Sequence, residues 1–284
     1  MTTSINYSDK KPISIKLFIL FSLWVASFIP VYPGLVGAWF NHGDNSHGIL
    51  VPFISLFFIW QKRDELKLAR MSSSNFGALI LMASMFLYLL GLASGTEIIS
   101  RTMIVFSLIG LLLFNLGKEV VKILVFPLLF LLFMIPVPVA VQSALAFPLQ
   151  LFATKISYLF IQALSIPVYQ EGNVLFFTEA QLEVAEACSG IRSIAAFTVL
   201  SVVFAYLLDK GWGRRIVLLA SAIPLALFTN IVRITGTGIL AHFYGSRIAD
   251  SFLHEFSGLL VFAFGFVLLL SEFILLNRVR GQGG

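Results

Sequence analysis

The sequence predicts an all-α polytopic membrane bundle of about eight transmembrane helices, with a short amphipathic and extended insertion on its outer side. Three observations carry that prediction. The 284 residues are 58% hydrophobic and only 12% charged, where soluble domains carry about 25% charged residues. Mean hydropathy is +0.95. Several apolar runs reach the roughly 20 residues that a helix needs to cross a bilayer core. No internal repeat or low-complexity tract breaks the pattern, so residues 1–284 read as one integral membrane domain.

Residues 1–15 are polar, and Lys10 and Lys11 lie in them with Lys16 just beyond. They read as a cytoplasmic tail and not a cleavable signal, since no small-residue cleavage site follows the apolar run. Spans follow at 16–38, 48–60, 76–95, 98–117, 120–141, 188–208, 216–242 and 252–276. Pro127, Pro136 and Pro138 kink or end the run at 120–141, and Pro224 bends the one at 216–242. The run at 48–60 is short, and length alone assigns it to a re-entrant or interfacial segment.

Charge argues that it spans. With eight crossings both termini are cytoplasmic. The cytoplasmic segments then hold Lys10, Lys11, Lys16, Lys62, Arg63, Lys67, Arg70, Lys118, Lys122, Lys210, Arg214, Arg215, Arg278 and Arg280, most of the 19 basic residues. If 48–60 does not cross, the later basic clusters fall on the outer face and the bias collapses. The net charge of +5 is thereby a matter of topology. Membrane lipids are the expected partner, and nucleic acid is not.

An outer segment, 142–187, separates the fifth and sixth spans. Between Gln142 and Ile166, Gln150, Lys155 and Gln162 alternate with Leu, Phe and Tyr, a pattern that suits an interfacial amphipathic helix. The stretches 173–178 and 181–186 alternate with a period of two, which suits an extended or hairpin element over the bundle.

Three chemically active side chains fall at one depth in this topology. Cys188 is the single cysteine of the chain and opens the sixth span, between Glu186 and Ser189. His254 opens the eighth. Arg233 lies inside the seventh, about 25 Å up a core of about 30 Å, with Asn230 on its helix face. Charge in hydrocarbon costs at least about 2.5 kcal/mol, which makes an intramembrane arginine a functional candidate. Each residue also has a plainer reading. A lone cysteine is usually an inert buried hydrophobe, Arg233 can snorkel or pair structurally, and a histidine at a span end often serves only as an interfacial hydrogen-bonder. Context favours chemistry: Arg192 lies one turn after Cys188, and a helix N-terminus favours thiolate. A thiolate attacks a peptide carbonyl, an imidazole relays protons, and a guanidinium stabilises the oxyanion.

Other chemistries are absent or weak. After His254-Glu255 the second histidine of a zinc-protease helix is replaced by Gly258. No Gly-x-Ser-x-Gly and no phosphate-binding loop occurs. His42, Asp44 and His47 could hold a metal, but no further cluster completes the ligand set; His47 reads instead as shaping the roof of the site. No metal and no cofactor is expected. Glu171, Glu179, Glu183 and Glu186 give the outer segment a negative face, either solvated or attracting an amine. A transporter or exopolysaccharide-assembly component is the alternative class, with Asn230 and Arg233 lining a polar path, although the two-fold repeat common in transporters is missing.

The motifs Glu186-Ala-Cys188-Ser-Gly190-Ile, Asn230-x-x-Arg233, His254-x-x-x-Gly258 and Ser46-His47-Gly48-Ile-Leu-Val51-Pro52 together resemble the exosortase/archaeosortase family of membrane cysteine transpeptidases, from the first span to the last. The resemblance implies Cys188 as nucleophile with Arg233 and His254 assisting. Arg192, Asn230, Glu186, Ser189 and His47 are then supporting candidates. His254 stands where the archaeal branch tends to have arginine, so the bacterial exosortase branch is the closer. That branch implies substrates anchored by a C-terminal sorting signal of the PEP-CTERM type: a short motif, a transmembrane helix and a basic tail. It further implies cleavage near the motif, transfer to a surface amine, lipid or glycan, a link to exopolysaccharide systems, and a site at the periplasmic face of the inner membrane. Some members carry a soluble domain after the last span; the chain ends at Gly284, and that domain is not expected here.

Overall fold

A computed structural model of the chain describes residues 10–41, 43–178, 180–184, 190–208, 211–245 and 253–278, with side chains from Ile15 in the first helix and from Gly258 in the last. The fold is that of an all-α polytopic membrane protein. By contacts it divides into two compact units, 1–137 and 138–284, described in turn.

The first unit holds α1 (Lys10–Ser27), α2 (Tyr32–Asn41), a 3-10 helix (Gly43–Ile49), α3 (Leu50–Gln61), α4 (Arg63–Leu68), α5 (Asn75–Ala93), α6 (Glu97–Asn115), α7 (Lys118–Phe130) and a second 3-10 turn (Leu131–Met134). The single span expected at 16–38 is bent by 67° between α1 and α2. Pro30 sits in the break, where it removes a backbone donor and disfavours helix in the residue before it. Tyr88 compensates, its hydroxyl donating to the Ser27 carbonyl at 2.7 Å. Trp24 donates to Ser107 Oγ at 2.8 Å, which ties α1 to α6 through a buried hydrogen bond.

The hairpin of α5 and α6 is closely packed because glycines face backbone. A Cβ on Gly77 would lie 2.2 Å from the Phe114 nitrogen, and one on Gly110 would lie 2.6 Å from the Leu81 nitrogen. The turn between the two helices needs Gly95, with φ +67°. Helix α7 continues through Pro127, whose carbonyl accepts from Ser55 Oγ at 2.8 Å, and ends before Pro136 and Pro138.

The second unit holds α8 (Val139–Ala163), strands β1 (Val168–Glu171), β2 (Val174–Phe177) and β3 (Gln181–Glu183), and helices α9 (Ile191–Leu207), α10 (Trp212–Tyr244) and α11 (Leu253–Arg278). The three last helices pack around Phe197, Leu218, Ala222, Ala226 and Leu269. They cross most closely at Gly265, where a Cβ would stand 2.3 Å from Phe197 Cζ and 2.9 Å from Thr229 Cγ2. The strands form an antiparallel meander in the order β1-β2-β3, turning at Gly172 with φ +58°. One face of this sheet buries Leu175, Phe177 and Val184 with Ile161 of α8 and Ile234 of α10.

Five described helices have the length and composition of a span: Asn75–Ala93, Glu97–Asn115, Val139–Ala163, Trp212–Tyr244 and Gly258–Arg278. The bent pair α1–α2 makes a sixth. The runs expected to cross at 48–60, 120–141 and 188–208 contain α-helices of 12, 13 and 17 residues, shorter than the roughly 20 residues that usually cross a core. By length and composition the described helices give five or six spans, and the count of eight is not confirmed.

Helix α8 departs from the expected interfacial helix. Gln150, Thr154 and Ser157 are buried, while Leu145, Phe147, Phe152, Leu159 and Phe160 are exposed, as are Lys155 and Gln162. Apart from those two and Ser143 near its start, its polar side chains are wholly or partly buried while most of its large apolar ones face outward, the arrangement of a helix whose surroundings are lipid and whose partners supply hydrogen bonds. Thr154 donates to the Gln150 carbonyl at 2.8 Å and Ser157 to the Ile231 carbonyl at 3.3 Å.

Gly77→Ala puts a methyl group against the backbone of α6, which cannot yield as a side-chain end does. Overpacking of this kind destabilises by about 1–3 kcal/mol, so thermal unfolding of the purified protein in detergent should shift down by several degrees. Gly213→Ala, with nothing within 4 Å of the added carbon, should leave the transition in place.

Candidate active site

The site is built at one end of the second unit. Short connections make α9, α10 and α11 antiparallel neighbours. Beyond the Gly265 crossing, the start of α9, the C-terminal half of α10 and the start of α11 therefore lie on the same side. Helix α10 has 33 residues, about 50 Å at 1.5 Å per residue, and outruns a core of about 30 Å. Its far end meets the sheet: Gly238 faces Phe177 and Leu182, and His242 lies 6.1 Å from the Phe177 ring.

Asn230 and Arg233 occupy the stretch of α10 between the helix crossing and the sheet. Asn230 is 1% exposed, and its Oδ1 accepts from an Arg233 guanidinium nitrogen at 2.7 Å. Spacing of three places both side chains on one helix face, and the buried amide shares the arginine's charge where water is scarce. Two residues on, the Thr235 hydroxyl is buried without a hydrogen-bond partner among the described residues.

Gly190 closes this arrangement from the other side. It caps α9 with φ +84°, a left-handed conformation that side chains resist. A Cβ there would meet the Asn230 amide nitrogen at 3.4 Å and its Cβ and Cγ at 3.5 Å. Gly190 stands two positions after Cys188, so the described end of the cysteine motif abuts Asn230. Cys188, Glu186 and Ser189 themselves lie outside the described residues, as do Glu179 and the side chain of His254. His254 opens α11 on the same side as Gly190.

Helix α9 begins at Ile191, after the left-handed Gly190, and the helical face expected to join Cys188 to Arg192 lies partly outside the described residues. Arg192 is exposed in the first turn of α9.

In the first unit, the loop carrying His47 is a 3-10 helix packed on the 131–134 turn. Trp39 Nε1 donates to the Met134 carbonyl at 2.8 Å, and Gly48 lets the indole lie against its backbone. Burial pushes the His47 imidazole below its ordinary value, while hydrogen bonds with the backbone of Asp44 and Phe133 work in the other direction. Among the described residues no group of three metal-ligating side chains occurs; His42 lies outside them.

Arg101 is a residue that sequence reading passed over. It is 7% exposed, and its guanidinium pairs with Glu97 at 2.7 Å. With Pro30, Val31, Gly34, Gly91 and Ser100 it lines a cavity of about 210 Å³. The signal was the same as for Arg233, a cation inside an apolar run. Its partner one turn earlier was hidden because the apolar run begins after Glu97.

The family model described as transmembrane exosortase matches residues 39–271. No curated protein and no solved structure gives a match.

A histidine held neutral by burial lowers stability on acidification, because the unfolded chain, with a pKa near 6.5, takes up the proton first. Stability present above that value is lost as pH falls through and below it. The unfolding temperature should drop between pH 7.5 and 5.5, and His47→Gln should flatten that slope.

Proposed function

The chain belongs to the transmembrane exosortase family, and from that premise we propose that it is a membrane-embedded cysteine transpeptidase that removes C-terminal sorting signals from exported proteins. The proposed setting is the inner membrane of a bacterium, with both termini cytoplasmic and the site open to the periplasm. The observation that carries this reading is the contact of Gly190 with Asn230, which brings the described end of the cysteine motif against the residue that holds the half-buried Arg233 guanidinium.

In the proposed reaction the Cys188 thiolate attacks the carbonyl carbon of the scissile peptide bond, and the carbonyl electrons move onto oxygen. Arg233, held by Asn230, donates to that oxyanion. A preorganised donor in a site poor in water has much greater effect than the same donor in solvent. The tetrahedral intermediate expels the amine of the sorting signal, protonated by the imidazolium of His254, and leaves a thioester on Cys188. An amine of a surface acceptor then attacks the thioester, loses its proton to His254, and releases the thiolate. Water in place of the amine gives hydrolysis. Glu186, Ser189 and Arg192 are proposed to support binding around the nucleophile, with His47 a further supporting candidate.

The test is a membrane-anchored reporter ending in a sorting signal encoded in the same genome. Cys188→Ala should insert normally and leave the precursor uncut. Arg233→Ala should slow processing by about 10²-fold or more, the scale for loss of an oxyanion donor, with Arg233→Lys recovering part of it. Normal processing by Cys188→Ala would sink the mechanism.

A further inference from the structure

Strand β3 ends one residue before Val184, and Val184 is four positions from Cys188. The strand is fixed and not a loose loop. The Val184 carbonyl accepts from the Asn173 amide at 3.1 Å and also from the Gln150 amide, while its N–H donates to the Asn173 carbonyl at 2.9 Å. Leu182 rests near Gly238 of α10. Four residues of chain reach at most about 14 Å, which holds the nucleophile segment close to the end of the strand.

The pairing register decides which backbone groups of β3 are committed. Val174 faces Glu183, Leu175 faces Leu182 and Phe176 faces Gln181. Hydrogen bonds run from Val184 N–H to Asn173 and from Phe177 N–H to Ala180. In an antiparallel ladder the pairs that exchange hydrogen bonds alternate with pairs that do not. Residues 180, 182 and 184 therefore turn N–H and C=O toward β2, and residues 181 and 183 turn theirs to the opposite edge. Among the described residues β3 pairs with β2 alone. The side chains of Gln181 and Glu183 are exposed, standing off the sheet face that packs on α8 and α10.

We infer that this edge of β3 receives the extended segment of the substrate beside the scissile bond as a fourth strand. The inference rests on the transpeptidase reading and deepens it. Backbone groups of Gln181 and Glu183 supply two donors and two acceptors, so recognition there depends on an extended backbone and tolerates varied side chains. Every second residue of the substrate turns its N–H to the enzyme, and the residues between do not. Continuity from the strand into the Cys188 segment sets the register in which the scissile carbonyl meets the thiol.

The experiment uses the full-length enzyme in detergent and synthetic peptides spanning a sorting signal from the same genome, each with one N-methylated amide. Losses in kcat/KM should alternate along the segment, about 3- to 10-fold at every second position, the range for one hydrogen bond. Uniform losses, or none, would overturn the inference. On the enzyme side, Gln181→Pro and Glu183→Pro remove outward N–H groups and spare the ladder with β2, as proline at an edge does. Both should lower kcat/KM about tenfold; wild-type rates in both proline variants would also overturn it. If those variants do not fold, the N-methyl scan decides alone. Cleavage that survives Cys188→Ala, or no cleavage by the wild type, counts against the transpeptidase reading itself, and the inference falls with it. Cysteine-dependent cleavage without alternation removes only the β3 docking.

Discussion

A guanidinium inside a lipid-embedded bundle is tolerable only if nearby polar groups take up its charge, and the second unit is organised around that requirement. Asn230 is buried one turn before Arg233 and accepts its hydrogen bond. The amide is in turn fixed between its own helix and Gly190, whose missing side chain lets the cap of α9 close on it. A larger residue at 190 would combine a left-handed backbone with a collision against the amide. The glycine of the cysteine motif thus has a structural task as well as any chemical one: it sets how near the motif comes to the arginine.

The sheet and α8 extend the same logic outward. Once α10 outruns the hydrocarbon, its apolar end needs cover, and the meander supplies it with Leu175, Phe177 and Val184. The strands leave backbone groups to satisfy, and α8 turns Gln150, Thr154 and Ser157 inward, Gln150 reaching the Val184 carbonyl. Gly238 lets α8 and the sheet approach α10 closely, since a Cβ there would stand 2.8 Å from Ile161 Cδ1 and 3.2 Å from Phe177 Cζ. The first unit meets a different demand. The break of its bent helix leaves the Ser27 carbonyl to Tyr88, and the buried Arg101 of α6 beside it pairs with Glu97.

Much of this was legible from residue patterns. Composition fixes the membrane class, because no soluble fold accommodates so few charges. The alternation at 173–178 corresponds to β2 and that at 181–183 to β3, since a half-buried sheet imposes a period of two. The Asn230-x-x-Arg233 spacing predicts a shared helix face, and the hydrogen bond forms there. Other features resisted reading. A polar residue in an apolar helix carries no mark of the side it faces, so Gln150 suggests a wet surface where the fold uses it inside. Arg101 was masked for a related reason, its counter-charge lying just outside the apolar run.

The sequence alone determines the solvent of this protein, its helical class, its family and the residue types available for chemistry, because transfer free energy and periodicity are local sums over the chain. Tertiary structure decides which apolar runs become full-length helices, the inward polarity of α8, and the approach of Gly190 to Asn230. Those depend on what packs opposite each residue, a property of distant chain segments that no single stretch of sequence contains.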